Sequence, residues 1–278
     1  MVGTPDVKLA QTVPLRDGTR MPRLGLGVWQ APGPVAHAAV RHALNFGYRH
    51  IDTAAIYGNE TEVGAAIREV DLPAGSVYVT TKLWTQDHGY DQALRGFEAS
   101  IKRLGLPYID LYLSHFPVAG KRNDAFRAMM TLLKGGQCRS IGVSNYTVRH
   151  LTELMDKTGY VPVVNQVEFH PYLFQRELLD FCRKHQIQVV AYSPLVHGKR
   201  MNDPRLVALA ELHGRTPAQI LLRWALEHDL VVIPKSAREE RIEENGRIFD
   251  FALTPAETAS MDGWNEDLRT CWDPTDEP

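Results

Sequence analysis

Short apolar runs rich in β-branched residues recur along the chain at Leu24–Val28, His50–Thr53, Val77–Lys82, Ile109–His115, Ser140–Ser144, Val163–Val167, Gln188–Tyr192 and Leu230–Pro234. Runs of this length and composition predict strands. The stretches between them carry a helical period instead. Tyr90–Leu104 puts Leu94, Phe97, Ile101 and Leu104 on one face, and Leu151, Leu154 and Met155 repeat the pattern, as do Leu178, Leu179 and Cys182. Asn59 followed by Glu62 reads as a capping box. Thr216-Pro217-Ala218-Gln219 and Thr254-Pro255-Ala256-Glu257 combine a cap, a proline in the first turn and an amide or carboxylate at the third position. Strand alternating with helix predicts βαβ units and a parallel sheet. Eight such units fit a closed ring better than an open sheet, so the expected class is α/β, a (β/α)8 TIM barrel formed by residues 1–278 as a single domain. A doubly wound sheet with some strands over-read is the alternative. Before the first strand, Val13–Pro22 places Asp17-Gly18 between two short apolar runs. This predicts a β-hairpin covering one end of the barrel.

Composition narrows the partners. The 278 residues are 44% hydrophobic and 23% charged, with a formal net charge of −2. That describes an ordinary globular protein and gives no electrostatic ground for a nucleic-acid or anionic-membrane partner. No apolar run approaches the roughly 20 residues that span a bilayer. Met1–Val13 lacks the pattern of a secretory signal. Cys138, Cys182 and Cys271 are far apart and form no CxxC, so neither a zinc site nor a redox pair is indicated. A reducing, cytoplasmic setting follows.

The chemistry sits where the apolar runs stop. They end in Asp52-Thr53, Thr81-Lys82, Ser114-His115, Ser144-Asn145, Gln166-Val167-Glu168, Tyr192-Ser193 and Lys235-Ser236. In a barrel these ends share one face, the face that carries activity. Asp52 and Lys82 are placed to pair across neighbouring strands, and Tyr57 falls over the same mouth. A nearby ammonium lowers a phenol's pKa from about 10 and makes it a better acid near neutrality. Taken singly, each residue has a bland explanation: a loop aromatic, a structural ion pair, a core histidine. Their shared position at strand ends argues for function.

These residues fall inside longer blocks that resemble the aldo-keto reductase family. The blocks are Gly47-Tyr48-Arg49-His50-Ile51-Asp52-Thr53-Ala54-Ala55-Ile56-Tyr57-Gly58-Asn59-Glu60, Leu104–Pro117, Ser140-Ile141-Gly142-Val143-Ser144-Asn145, Asn165-Gln166-Val167-Glu168-Phe169-His170-Pro171, and Ile233-Pro234-Lys235-Ser236 followed by Arg241, Glu244 and Asn245. Within the family the chain looks most like the short prokaryotic and protozoan branch of 2,5-diketo-D-gluconate reductases and prostaglandin F synthases. The resemblance implies NADPH-dependent reduction of aldehydes, α-dicarbonyls or keto-sugars by a monomer. It implies a catalytic set of Asp52, Tyr57, Lys82 and His115. Tyr57 protonates the carbonyl oxygen, Lys82 held by Asp52 lowers its pKa, and His115 orients the carbonyl. Ser144, Asn145 and Gln166 are implied carboxamide ligands, and Tyr192 the ring that stacks on nicotinamide. Ser193 and Leu195 belong to the pyrophosphate loop. Lys235, Ser236 and Arg241 are implied for the 2′-phosphate, and Glu244 and Asn245 for the adenine. Charge counting would not find the phosphate site, because Glu239, Glu240, Glu243 and Glu244 balance Lys235, Arg238, Arg241 and Arg247.

Two positions depart from the family pattern. Phe116 stands where tryptophan is usual, and Val196 where the loop after the seventh run usually has glycine. Trp29, Trp84, His115 and Phe116 are the expected substrate walls. Gly25-Leu26-Gly27 lacks the third glycine of a dinucleotide fingerprint. Two other classes stay in view: a metal-dependent barrel hydrolase using His115, His170 and Asp52, and a barrel that binds NADPH without turnover.

Overall fold

The computed structural model describes Leu9 and residues 11–278. In chain order the elements are β1 (Thr12–Pro14), β2 (Arg20–Pro22), β3 (Leu26–Gly27), α1 (Gly33–Phe46), β4 (His50–Asp52), α2 (Glu60–Glu69), β5 (Tyr78–Leu83), α3 (Tyr90–Leu104), β6 (Ile109–Ser114), α4 (Arg122–Lys134), β7 (Cys138–Ser144), α5 (Val148–Thr158), β8 (Val164–Glu168), α6 (Arg176–Lys184) and β9 (Gln188–Tyr192). After them come α7 (Pro204–His213), α8 (Pro217–Glu227), β10 (Val231–Val232), α9 (Glu239–Gly246) and α10 (Pro255–Asp262).

Strands β3 to β10 pair in sequence order, all parallel. The ring closes through parallel bridges Leu24 to Val232 and Gly27 to Lys235. The eight predicted runs are therefore the eight strands of a barrel, and the open-sheet alternative falls. The first and last ladders are shorter than their runs, because single bridges make this seam.

The amino-terminal hairpin is present, with Val13 opposite Met21. Leu15 and Met21 are buried with Tyr78, Leu111, Val164 and Val231, whose side chains fill the lumen at the amino ends of the strands. Ser140 at the start of β7 donates to Asp17 in the hairpin turn at 2.6 Å. The hairpin thus plugs one end of the barrel and leaves the other open.

Helices cover the ring. Thr216 with Gln219 and Thr254 with Glu257 form the predicted capping boxes. Asn59 does not cap α2 with its side chain. Its amide instead donates to Val28 O at 3.0 Å and Ala31 O at 3.1 Å, while Oδ1 accepts from Thr53 at 2.7 Å. The residue ties together loops at the open end. Helices α2 and α3 approach so closely that a Cβ on Gly64 would lie 1.9 Å from Leu104 O, so only glycine fits there. Among the described residues no helix is long and apolar enough to cross a membrane.

Candidate active site

The open end holds the polar strand termini. Register places Asp52 beside Thr80, and Lys82 two residues further along the same strand, so alternation aims both side chains into the lumen. Lys82 is 0% exposed and Asp52 2%. A buried ammonium needs partners for all three protons. It finds Asp52 Oδ1 at 2.5 Å, Thr53 O at 2.8 Å and Tyr57 Oη at 3.5 Å. Asp52 Oδ2 accepts from Gln166 at 2.7 Å, a bond that crosses the lumen from β8. Because Lys82 donates to Tyr57, the tyrosine oxygen is an acceptor on that side. Its own proton points elsewhere, and Tyr57 lines the cavity.

Burial drives the ionisation of this group. It pushes Asp52 up and Lys82 down, and their mutual attraction works against both shifts. Burial, reinforced by Asp52, raises the Tyr57 phenol well above 10. This differs from the expectation that Lys82 brings it down: the shortest ammonium bond goes to Asp52, and the partly buried phenol is left at 3.5 Å. Tyr57 is therefore a protonated donor throughout the neutral range. His115, 6% exposed, is held well below 6.5 by burial and then by the charge of Lys82, so it is neutral. Its ring meets Tyr57 edge-on at 5.8 Å and Trp84 at 5.4 Å.

A cavity of about 750 Å³ opens over this group. Asp52, Tyr57 and His115 line it, with Lys82 buried directly behind Tyr57. Trp29, Trp84 and Phe116 form walls, as expected. Ser144, Asn145, Gln166, Tyr192, Ser193, Leu195, Lys235 and Arg241 also line it. Asn145 adopts φ 64, tolerable for asparagine, and links the rim. It donates to His115 O at 3.0 Å and accepts from Tyr192 Oη at 2.7 Å. Ser236, Glu244 and Asn245 do not line the cavity. Ser236 accepts from Arg238 N at 3.2 Å in the turn before α9. Glu244 accepts from Thr216 at 2.6 Å, and Asn245 is buried.

The charge balance read from the sequence does not survive folding. Glu239 and Glu243 turn to His42, Glu243 also holds Arg247, and Glu244 holds Thr216. Among the described residues neither Lys235 nor Arg241 has a carboxylate partner. Two cations at one end of the cavity fit a phosphate dianion, as a phosphorylated dinucleotide would supply.

Val196 sits at φ 53 and His197 at φ 51. A β-branched residue in that region is strained by about 1–3 kcal/mol. The wholly buried Val196 side chain holds it there. His197, Thr270, Cys271 and Trp272 also line the cavity, and sequence reading missed all four. Trp272 packs edge-on against Phe116 at 4.8 Å. The only available signal was an aromatic residue in an otherwise polar tail. The hydrolase alternative is not assembled: Asp52 is committed to Lys82 and Gln166, and His170 pairs with Glu168.

Comparison with known proteins gives a consistent picture. The profile of the Aldo/keto reductase family matches residues 23–266. A 9,11-endoperoxide prostaglandin H2 reductase of Trypanosoma cruzi is 47% identical, covering 94% of each chain. A glyoxal reductase of Bacillus subtilis is 46% identical, covering 94% of this chain and 95% of its own. A crystal structure of a Bombyx mori aldo-keto reductase in complex with NADP superposes with a TM-score of 0.88 at 37% identity, covering 94% of both chains.

Proposed function

Because the chain belongs to the aldo/keto reductase family, we propose that it reduces aldehyde or ketone groups of small molecules to alcohols, with NADPH as reductant and Tyr57 as proton donor. Bound NADPH supplies the hydride. Tyr57 gives its cavity-facing proton to the carbonyl oxygen. Lys82, already donating to Tyr57 Oη, stabilises the phenolate left behind, and Asp52 with Thr53 O keeps the ammonium in place. Neutral His115 hydrogen-bonds the carbonyl oxygen and orients it. Ser144, Asn145 and Gln166 hold the carboxamide of the cofactor, Tyr192 flanks its ring, and Ser193 with Leu195 borders the pyrophosphate. Lys235 and Arg241 take the 2′-phosphate. Ser236 joins them at the 2′-phosphate, and Glu244 and Asn245 on α9 stand near the adenine.

The observation that carries this reading is the set of three Lys82 bonds, which makes the Tyr57 oxygen an acceptor on that side and so supports its role as the donor on the cavity side. Aldehydes, α-dicarbonyls and keto-sugars are the proposed substrates. The similarity to a trypanosomal and a bacillary reductase supports a place in the prokaryotic and protozoan branch. The protein acts as a single-domain cytoplasmic monomer. The test is NADPH consumption by the purified protein across those three carbonyl classes. Turnover with at least one class is expected. NADPH binding without oxidation by any of them would favour the non-catalytic barrel instead.

A further inference from the structure

The tail of the chain crosses the barrel mouth as a strap with a cavity on each side. Thr270, Cys271 and Trp272 face the active-site cavity. Arg269, Pro274 and Thr275 face a second cavity of about 440 Å³, behind the strap. A segment lying between two voids lacks the close packing that fixes a core residue. Between the packed Leu268 and the buried Pro274, its position leans on directional bonds.

Those bonds converge on one side chain. Glu168, at the carboxyl end of β8, is 1% exposed. Its Oε1 accepts from Thr270 N at 2.8 Å and from the Thr270 hydroxyl, and its Oε2 accepts from Cys271 N at 3.1 Å. Burial opposes its charge, but hydrogen bonds from His170 and Thr270 outweigh this and hold the carboxyl below its usual value. Charge-assisted bonds of this kind are about twice as strong as neutral ones. Elsewhere the strap is held by Leu268 N to Tyr172 O at 3.0 Å, by Cys271 Sγ at 3.4 Å from Ser193 Oγ and from His197 Nε2, and towards its ends by Asn265 with Phe174 N and by Arg149 and His150 with Glu277 O, but Glu168 alone takes two successive backbone N–H groups beside Trp272. The next residue after the Glu168 clamp is Trp272, seated on Phe116.

That wall has a definite chemistry. Trp29, Ile56, Trp84, Phe116 and Trp272 all line the cavity beside His115 and Tyr57, and none carries a formal charge. We propose that Glu168 is a positioning residue for substrate selection: it clamps the strap so that Trp272 closes an uncharged aromatic pocket, which favours aromatic carbonyls without a carboxylate. This deepens the carbonyl-reductase reading and rests on it.

The experiment compares 4-nitrobenzaldehyde, 4-carboxybenzaldehyde and methylglyoxal as substrates for wild type, Glu168→Ala, Glu168→Gln and Trp272→Ala. Wild type should favour the nitro over the carboxy compound by roughly tenfold in kcat/KM, the scale of one lost charge-compatible contact. In Glu168→Ala the ratio of nitrobenzaldehyde to methylglyoxal efficiency should fall about tenfold, through KM rather than kcat. Trp272→Ala should lose the same ratio. Glu168→Gln keeps one acceptor oxygen and should fall between, which preserves the test if the alanine variant does not fold. Limited trypsinolysis reads the strap without turnover: cleavage after Arg269 should accelerate in the Glu168 variants. An unchanged substrate ratio in a folded Glu168 variant overturns the proposal, as does equal wild-type efficiency on the nitro and carboxy compounds. If wild type reduces no carbonyl at all, the carbonyl reading itself falls, and unchanged trypsinolysis would then remove the clamp as well.

Discussion

At the amino ends of the strands, Met21, Leu15, Leu111 and Val231 fill the lumen and a hairpin seals it. At the carboxyl ends the same strands present Asp52, Gln166 and His115 to a cavity, with Lys82 buried just beneath it. The two regions are a few residues apart on each strand and solve opposite problems. The closed end removes water and contributes stability through packing. The open end buries an ammonium and a carboxylate, which costs desolvation, and satisfies every Lys82 proton in a way that leaves the Tyr57 proton for use. Stability and chemistry are therefore separable along the barrel axis.

The largest effect that sharpens this contrast is at the open end. Tyr57→Phe should lower kcat by about two to four orders of magnitude while leaving NADPH affinity, read by fluorescence titration, within a few-fold of wild type. Near-normal turnover would remove Tyr57 as the acid. The closed end should answer in the other currency. Met21→Ala empties a fully buried site and should cost about 2–5 kcal/mol of unfolding free energy, measured by urea denaturation, with kcat at a permissive temperature close to wild type. A large kcat loss there would mean that the two ends are coupled. A smaller effect divides the open end itself. Arg241→Ala removes one of the two cations at that end of the cavity and should raise the KM for NADPH by roughly ten- to hundredfold, with little change for NADH. Equal losses with both cofactors would place Arg241 away from the phosphate.

Much of this division was legible in the sequence, because both ends follow from where apolar runs begin and stop. The strand ends named Asp52, Lys82, His115 and Asn145 without any structure, and Asp17-Gly18 named the hairpin. What stayed hidden depends on contacts distant in sequence. Residues 265–278 carry no apolar period, so nothing announced that Glu168 would bind the backbone of Thr270 and Cys271. Glu239 and Glu243 look like partners for Arg241 until α9 meets His42 of α1. Asn59 reads as a cap because local spacing cannot show Val28 O and Ala31 O above it. The phenol's pKa was misjudged for the same reason. A nearby lysine is visible in sequence, but the depth of burial and the prior claim of Asp52 on that lysine are not.

The central claim is that Tyr57 is kept protonated by burial, beside a neutral His115. It is tested most directly by single-turnover reduction of a saturating aldehyde, followed by loss of NADPH absorbance as pH is varied. A phenol held well above 10 and an imidazole held well below 6.5 predict a rate constant that is level from about pH 6.5 to about pH 10 and falls only beyond that range. An ionisation near pH 7 that halves the rate constant of this step would contradict the account.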